Sequence, residues 1–189
     1  EGIYRLSGNS SDVTYLQTRF DRGELTADEL DGVADANVVA AVVKLFFREM
    51  PEPLCTFDRY AELTSLAARA SDPARASELP ALITELRSTV NYLPAANKAT
   101  LQMLIKHLVL VSSSADKNNM PIANLAAVFG PNLLKDRNES VMTMVSNTAA
   151  VCQAVLLLAE HYETVFLGSG EVVIERGPPP PASAATATA

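Results

Sequence analysis

The sequence predicts an all-α domain, and three observations carry that prediction. Apolar residues recur at i, i+3, i+4 and i+7 in several separate stretches, which is the spacing of one helical face. No run shows the period-2 alternation of a half-buried strand. Between the periodic stretches lie Pro, Gly, Asn, Ser and Asp, the residues that start and stop helices.

The stretch over 37–53, NVVAAVVKLFFREMPEP, organises the rest. Asn37 is the expected N-cap, and Pro51 and Pro53 stop the helix. About fourteen helical residues span about 21 Å. Around the helix, Val38, Val39, Val42, Val43, Leu45, Phe46, Phe47 and Met50 cover most of the circumference. Asn37, Ala40, Ala41, Lys44 and Arg48 fill the one gap. Such a helix is expected deep in the core, with one cationic stripe turned to water or to a partner. Lys44 and Arg48 snorkelling into solvent is the plain alternative. Two details weigh against it. Ala40 and Ala41 are small enough for another chain to approach the backbone, and Glu49 falls in the apolar arc, where a carboxylate needs a partner.

The remaining elements follow in order. EGIYRLSG at 1–8 is a short apolar segment running into a loop, with Arg5 as its single cation. Ser10 or Ser11 caps a helix whose inner face is Val13, Leu16 and Phe20, and Gly23 ends it. Residues 24–35 form an acidic connection. A helix is expected over 58–70, broken by Ser71-Asp72-Pro73, and another over 76–92 with Leu79, Leu82, Ile83 and Leu86 inward. Asn97 opens the next, with Leu101, Leu104, Ile105 and Leu108 inward, and a polar loop follows over 112–119. Pro121 sits in the first turn of a helix with Ile122, Leu125, Ala126 and Phe129 inside. Asn124 lies about 160–200° from that stripe and faces away from the core. Gly130-Pro131 is expected to stop this helix. A last helix over 147–166 places Val151, Val155, Leu158 and Tyr162 in register. The domain is thus 1–167. Residues 168–189 lose all apolar periodicity and read as a disordered Pro/Ala/Thr-rich linker, whose prolines at 178–181 form a candidate ligand for a polyproline-binding domain.

Composition narrows the function. With 189 residues the chain can bury one substantial core. Fifteen Lys and Arg against 22 Asp and Glu give a net charge of −7, which argues against nucleic acid or an anionic membrane as partner but leaves room for a local basic site. Cys55 and Cys152 make no disulfide framework, and with His107 and His161 they make no structural zinc set. No apolar run reaches membrane-spanning length and no signal peptide is visible, so a cytoplasmic domain is expected. There is no phosphate-binding glycine loop, nucleophile elbow, metal-spaced histidine cluster or dinucleotide fingerprint. Three polar features remain: Arg5 on a loop, the Lys44/Arg48 stripe, and Asn124 followed by Asn132.

Those features lie in three blocks. EGIYRLSG at 1–8, VVKLFFREMPEPL at 42–54 and NLAAVFGPNLL at 124–134 resemble, in order and separation, the signature blocks of the Rho-family GTPase-activating domain, RhoGAP. The resemblance covers residues 1–166. It implies an all-α, single-domain helical bundle that supplies one arginine in trans to a GTP-bound Rho-type GTPase. That arginine matches Arg5. Lys44 and Arg48 match the family's cationic helix positions, and Asn124 matches the asparagine that helps hold the GTPase. Asn132 matches in the same block, and with Pro51 and Pro53 it shapes the turns around the site. No cofactor or metal is expected on the chain itself, because GTP, Mg²⁺ and the water-orienting glutamine belong to the partner. The family's domain begins upstream of the arginine block with further helical sequence. A first residue of Glu1 therefore predicts a fragment that lacks its N-terminal helix. Two alternatives remain: a GTPase-binding module without catalytic effect, against which Arg5 argues, and a helical interaction domain unrelated to GTPases.

Overall fold

The buried faces of the longer helices build the domain. The computed structural model describes residues 1–138 and 141–168, with the backbone alone over 141–146. Among the described residues there is no strand. The α-helices are α1 (Ser10–Asp21), α2 (Ala27–Asp31), α3 (Ala36–Glu49), α4 (Tyr60–Ala70), α5 (Leu79–Asn91), α6 (Ala95–Ser112), α7 (Ala115–Asn118), α8 (Ile122–Leu133) and α9 (Val141–Glu160). Short 3₁₀ turns, Phe57–Arg59 and Pro73–Glu78, lead into α4 and α5, and a π turn, Glu163–Leu167, follows α9. The sequence period is the packing period. Leu63, Leu66, Leu82, Leu86, Leu101, Ile105, Leu108, Leu125, Phe129, Val155 and Leu158 all lie in one core. Helices α8 and α9 form the most extensive pair, with α4 next against α9. Helix α3 serves two clusters. Ala40 and Phe47 join the main core, while Val38 packs with Val13 and Leu16 of α1.

Several expectations are corrected. Asp35, not Asn37, caps α3, because its extended backbone lets the carboxylate accept from the Asn37 N–H and favours the positive helix end. Likewise Asn9 rather than Ser10 or Ser11 caps α1, accepting from the Ser11 and Asp12 N–H groups. The acidic connection contains α2, held by a capping box between Thr26 and Glu29, and the polar loop contains α7. Both helices are too short for a period to register. Phe20 and Phe46 are 52% and 51% exposed, and Ala40 is 4% exposed. The apolar arc of α3 is wider than its two neighbours cover, so it meets them through the Ala40 side and leaves Phe46 outside, edge-on to Phe47. Glu49 is exposed, and its partner comes from α1, where Gln17 Nε2 donates to it at 3.1 Å.

The largest correction is at Gly130-Pro131, where α8 continues to Leu133. Proline already has a helical φ, and it costs one hydrogen bond plus local crowding. Gly130 returns something for that cost. A Cβ there would lie 3.1 Å from Val151 Cγ1 and 3.2 Å from the Val151 carbonyl, so its absence lets α9 close on α8. Helix α9 starts at Val141, six positions before the expected 147. The expected linker lies outside the described residues from 169 onward. Among the described residues no helix is long and apolar enough to cross a membrane.

Phe129 is fully buried and touches the rings of both Tyr4 and Phe47. Phe129→Ala should lower the unfolding free energy by about 3–5 kcal/mol, read from urea unfolding; a loss below about 1 kcal/mol would contradict this packing.

Candidate functional site

The site is built on the first eight residues, which form a tight arm pinned to four helices. The Gly2 N–H donates to the Asn118 carbonyl at 2.7 Å, at the end of α7. The Arg5 and Leu6 N–H groups both donate back to the Gly2 carbonyl, at 2.9 Å each. Tyr4 sits at φ +69°, in the left-handed region that strains a bulky residue. Packing holds it there. Its ring is 6% exposed and meets Phe129 and His107 edge-to-face, with centroids 4.9 and 5.8 Å apart. The Tyr4 hydroxyl and His107 Nε2 share a hydrogen bond of 2.6 Å. The Tyr4 carbonyl accepts from Lys44 Nζ at 2.5 Å. At the arm's far end Gly8 lies against the first turn of α3, where a Cβ would fall 2.7 Å from Val38 N and Cα.

This geometry leaves Arg5 exposed at the crest of the arm. Its guanidinium makes no hydrogen bond or ion pair among the described residues. Lys44 is half-buried beside it and has no carboxylate within ion-pair distance among the described residues. Burial, and then the charge of Arg48, pull its pKa below the usual lysine value. Arg48 follows one turn later, exposed, with Glu49 at 4.0 Å, and a pair so exposed stabilises little. The Arg48 carbonyl accepts from Lys135 Nζ at 2.5 Å. A row of cations therefore runs from the arm to the end of α8, on a chain whose net charge is −7.

The other sequence-derived residues border this row. Asn124, in the first turn of α8, is half-buried rather than turned fully away from the core. Its Nδ2 reaches the Asn119 carbonyl at 3.4 Å, a long contact beside the turn that pins Gly2. Asn132 is half-buried and donates to the Val128 carbonyl of its own helix at 2.9 Å. Pro51 is exposed and Pro53 is buried. The Pro53 carbonyl accepts from the Thr56 N–H at 2.8 Å, and the Cys55 N–H donates to the Leu133 carbonyl at 3.1 Å. The Pro-Glu-Pro turn thus ties the end of α3 to the end of α8, beside Asn132. Arg5 and Lys44 are joined through Tyr4, whereas Asn132 and the prolines stand at the other end of the row.

Sequence reasoning missed four residues that build this site: Tyr4, His107, Asn118 and Lys135. Lys135 directly follows the third block, and an Asp-Lys-Asn-Asn run marks the turn at Asn118. Nothing local marks the Tyr4–His107 contact, which spans 103 positions. Among the described residues the site holds no accessible thiol. Cys55 is sealed in the core, and burial pushes its thiol up to about 12. The site instead presents a guanidinium and fixed positive charge to an anion arriving from outside.

A family model described as RhoGAP domain matches residues 1–138, which include every candidate residue. The chain belongs to the RhoGAP domain family. It is 36% identical over 166 residues to Rho GTPase-activating protein gacY of Dictyostelium discoideum, covering 88% of this chain and 22% of that protein. To human Rho GTPase-activating protein 24 it is 33% identical over 172 residues, covering 91% of this chain and 22% of that protein. The RhoGAP chain therefore spans under a quarter of the length of these curated relatives. Among solved structures, human Rho GTPase activating protein 15 matches with a TM-score of 0.76 and 31% identity, over 88% of this chain and 75% of that one. The BH domain from Graf, the GTPase regulator associated with focal adhesion kinase, matches with a TM-score of 0.70 and 25% identity, over 88% and 84% of the two chains.

Because Gly8 touches backbone, Gly8→Ala should displace the arm from α3. The expected cost is about 1–3 kcal/mol in thermal unfolding, with faster amide exchange at Arg5 and Leu6. Unchanged stability and exchange would show that the arm does not depend on this contact.

Proposed function

We propose that this RhoGAP domain accelerates GTP hydrolysis on a Rho-type GTPase in its GTP-bound form by delivering Arg5 in trans. One observation carries the reading: Arg5 is exposed and unpaired among the described residues, on a backbone held at both ends of the arm. During hydrolysis, negative charge builds on the γ-phosphoryl oxygens and on the leaving bridge oxygen. A guanidinium stays charged at any relevant pH and offers several donors in a fixed fork. Supplied by a partner, such an arginine contributes about 10³–10⁵ in rate, or about 4–7 kcal/mol of barrier. The GTPase brings the nucleotide, Mg²⁺ and the glutamine that orients water. Pre-fixing the arm matters because the entropy of ordering the loop is then lost on folding and not during the reaction.

Lys44, Arg48, Asn124 and Asn132 are the residues we assign to holding the GTPase, with Pro51 and Pro53 keeping the two helix ends together. The cationic row suits an acidic partner surface and would speed encounter. Two free cysteines fit a reducing, cytoplasmic setting. The four prolines at 178–181 favour an extended conformation that suits a polyproline-binding domain.

In single-turnover assays against a panel of GTP-loaded Rho-type GTPases, Arg5→Ala should lower the stimulated rate about 10²–10⁴-fold while much of the binding survives. Arg5→Lys should rescue poorly because it lacks the planar fork. Wild-type turnover in the alanine variant would make Arg5 structural. Lys44→Ala and Asn124→Ala should both weaken affinity for the GTPase loaded with a GTP analogue, with the domain still folded. Unchanged affinity with a large fall in melting temperature would mean that these side chains serve the fold instead.

A further inference from the structure

We propose that His107 is a positioning residue for Arg5, acting through the hydroxyl of Tyr4. This rests on the reading of Arg5 as the catalytic arginine. Tyr4 and Arg5 share a peptide bond, so the torsions of Tyr4 aim the guanidinium. Those torsions lie in a region that an aromatic residue occupies only when its surroundings over-determine it. Three helices do so. Phe129 of α8 packs against the ring, Lys44 of α3 holds the carbonyl, and His107 of α6 holds the hydroxyl at 2.6 Å. The carbonyl contact alone would leave the residue free to pivot about that one point. A second contact at the opposite end, on the phenol oxygen, removes the pivot.

A phenylalanine would fill the same socket without the cost of taking a hydroxyl out of water. The plain alternative is a core ring whose hydroxyl has merely found a partner. His107 speaks against that. It lies on the solvent side of α6 and, among the described residues, has no other hydrogen bond. Its ring is edge-on to Tyr4, at 87°. Burial raises the Tyr4 phenol above its usual pKa and lowers His107 below its own. A neutral phenol facing a neutral imidazole makes one hydrogen bond between the phenol oxygen and Nε2, with the imidazole tautomer setting which side donates. Removing the hydroxyl from a merely satisfied core ring would alter stability and leave the rate alone. Removing it from a positioning contact would alter the rate at constant affinity.

The test compares Tyr4→Phe, His107→Phe and the double variant in the 189-residue chain. Tyr4→Phe removes only the hydroxyl, and His107→Phe keeps a flat ring in place while removing the nitrogen that meets it. Four quantities are read: the single-turnover rate at saturating domain, the domain concentration at half-maximal rate, the melting temperature, and amide exchange at Arg5 and Leu6. Each single variant should lower the saturating rate about three- to tenfold, the worth of one neutral hydrogen bond, with half-saturation unchanged. The Arg5 and Leu6 amides should exchange faster by a comparable factor. The double variant should lose no more than either single one, since both remove the same bond. Unchanged rate and exchange in Tyr4→Phe, or losses that multiply in the double variant, would overturn the proposal. If the wild-type chain accelerates no Rho-type GTPase, the catalytic reading of Arg5 fails by itself. Exchange then decides the contact alone: faster exchange in Tyr4→Phe upholds it, and unchanged exchange removes it.

Discussion

The left-handed backbone at Tyr4 is the constraint on which the site depends. A bulky residue at φ +69° is strained by about 1–2 kcal/mol, and neighbouring packing must offset that. The offset comes from burial of the ring against Phe129 and from the Lys44 contact on the carbonyl. The main core therefore does more than keep the domain folded. It turns the chain so that the residue after Tyr4 points out while Tyr4 points in. A guanidinium in water reorients freely at little cost, whereas one carried on an ordered turn meets its partner with fewer torsions left to freeze.

Lys44 has a second consequence for the electrostatics. Its ammonium donates to a backbone carbonyl and pairs with no carboxylate among the described residues, so its positive charge is not cancelled there. Arg48 and Lys135 continue the row, joined through one carbonyl. Backbone oxygens sit between these cations, and burial first and the Arg48 charge second pull the Lys44 pKa down. An acidic chain with a local row of cations pairs general solubility with local attraction for an anionic partner.

The helical core was legible in the sequence because period and packing coincide. Leu101, Leu104, Ile105 and Leu108 are read from spacing alone and are all buried. Misreadings occurred where one rule competed with another. Asp35 and Asn37 are both good caps, and the residue with extended backbone prevailed. Gly130-Pro131 has the composition of a stop, yet close helix packing over the missing Cβ carried α8 through it. Phe46 is as apolar as Phe47, but Phe47 turns toward Phe129 of α8 and is covered while Phe46 stays exposed. Arg5, Lys44, Arg48, Asn124, Asn132, Pro51 and Pro53 could be singled out from their blocks. The residues that aim Arg5 could not, because His107 and Asn118 reach the arm across about a hundred positions and each looks locally like an ordinary helix or turn residue.

The most direct test of the account is affinity for a transition-state analogue. A Rho-type GTPase loaded with GDP and aluminium fluoride carries, at the γ-position, the charge that Arg5 is proposed to meet. The domain should bind that form far more tightly than the form with GDP alone, and Arg5→Ala should erase the difference while leaving binding to the GTP-analogue form largely intact. An aluminium fluoride increment that persists undiminished in Arg5→Ala would contradict the account.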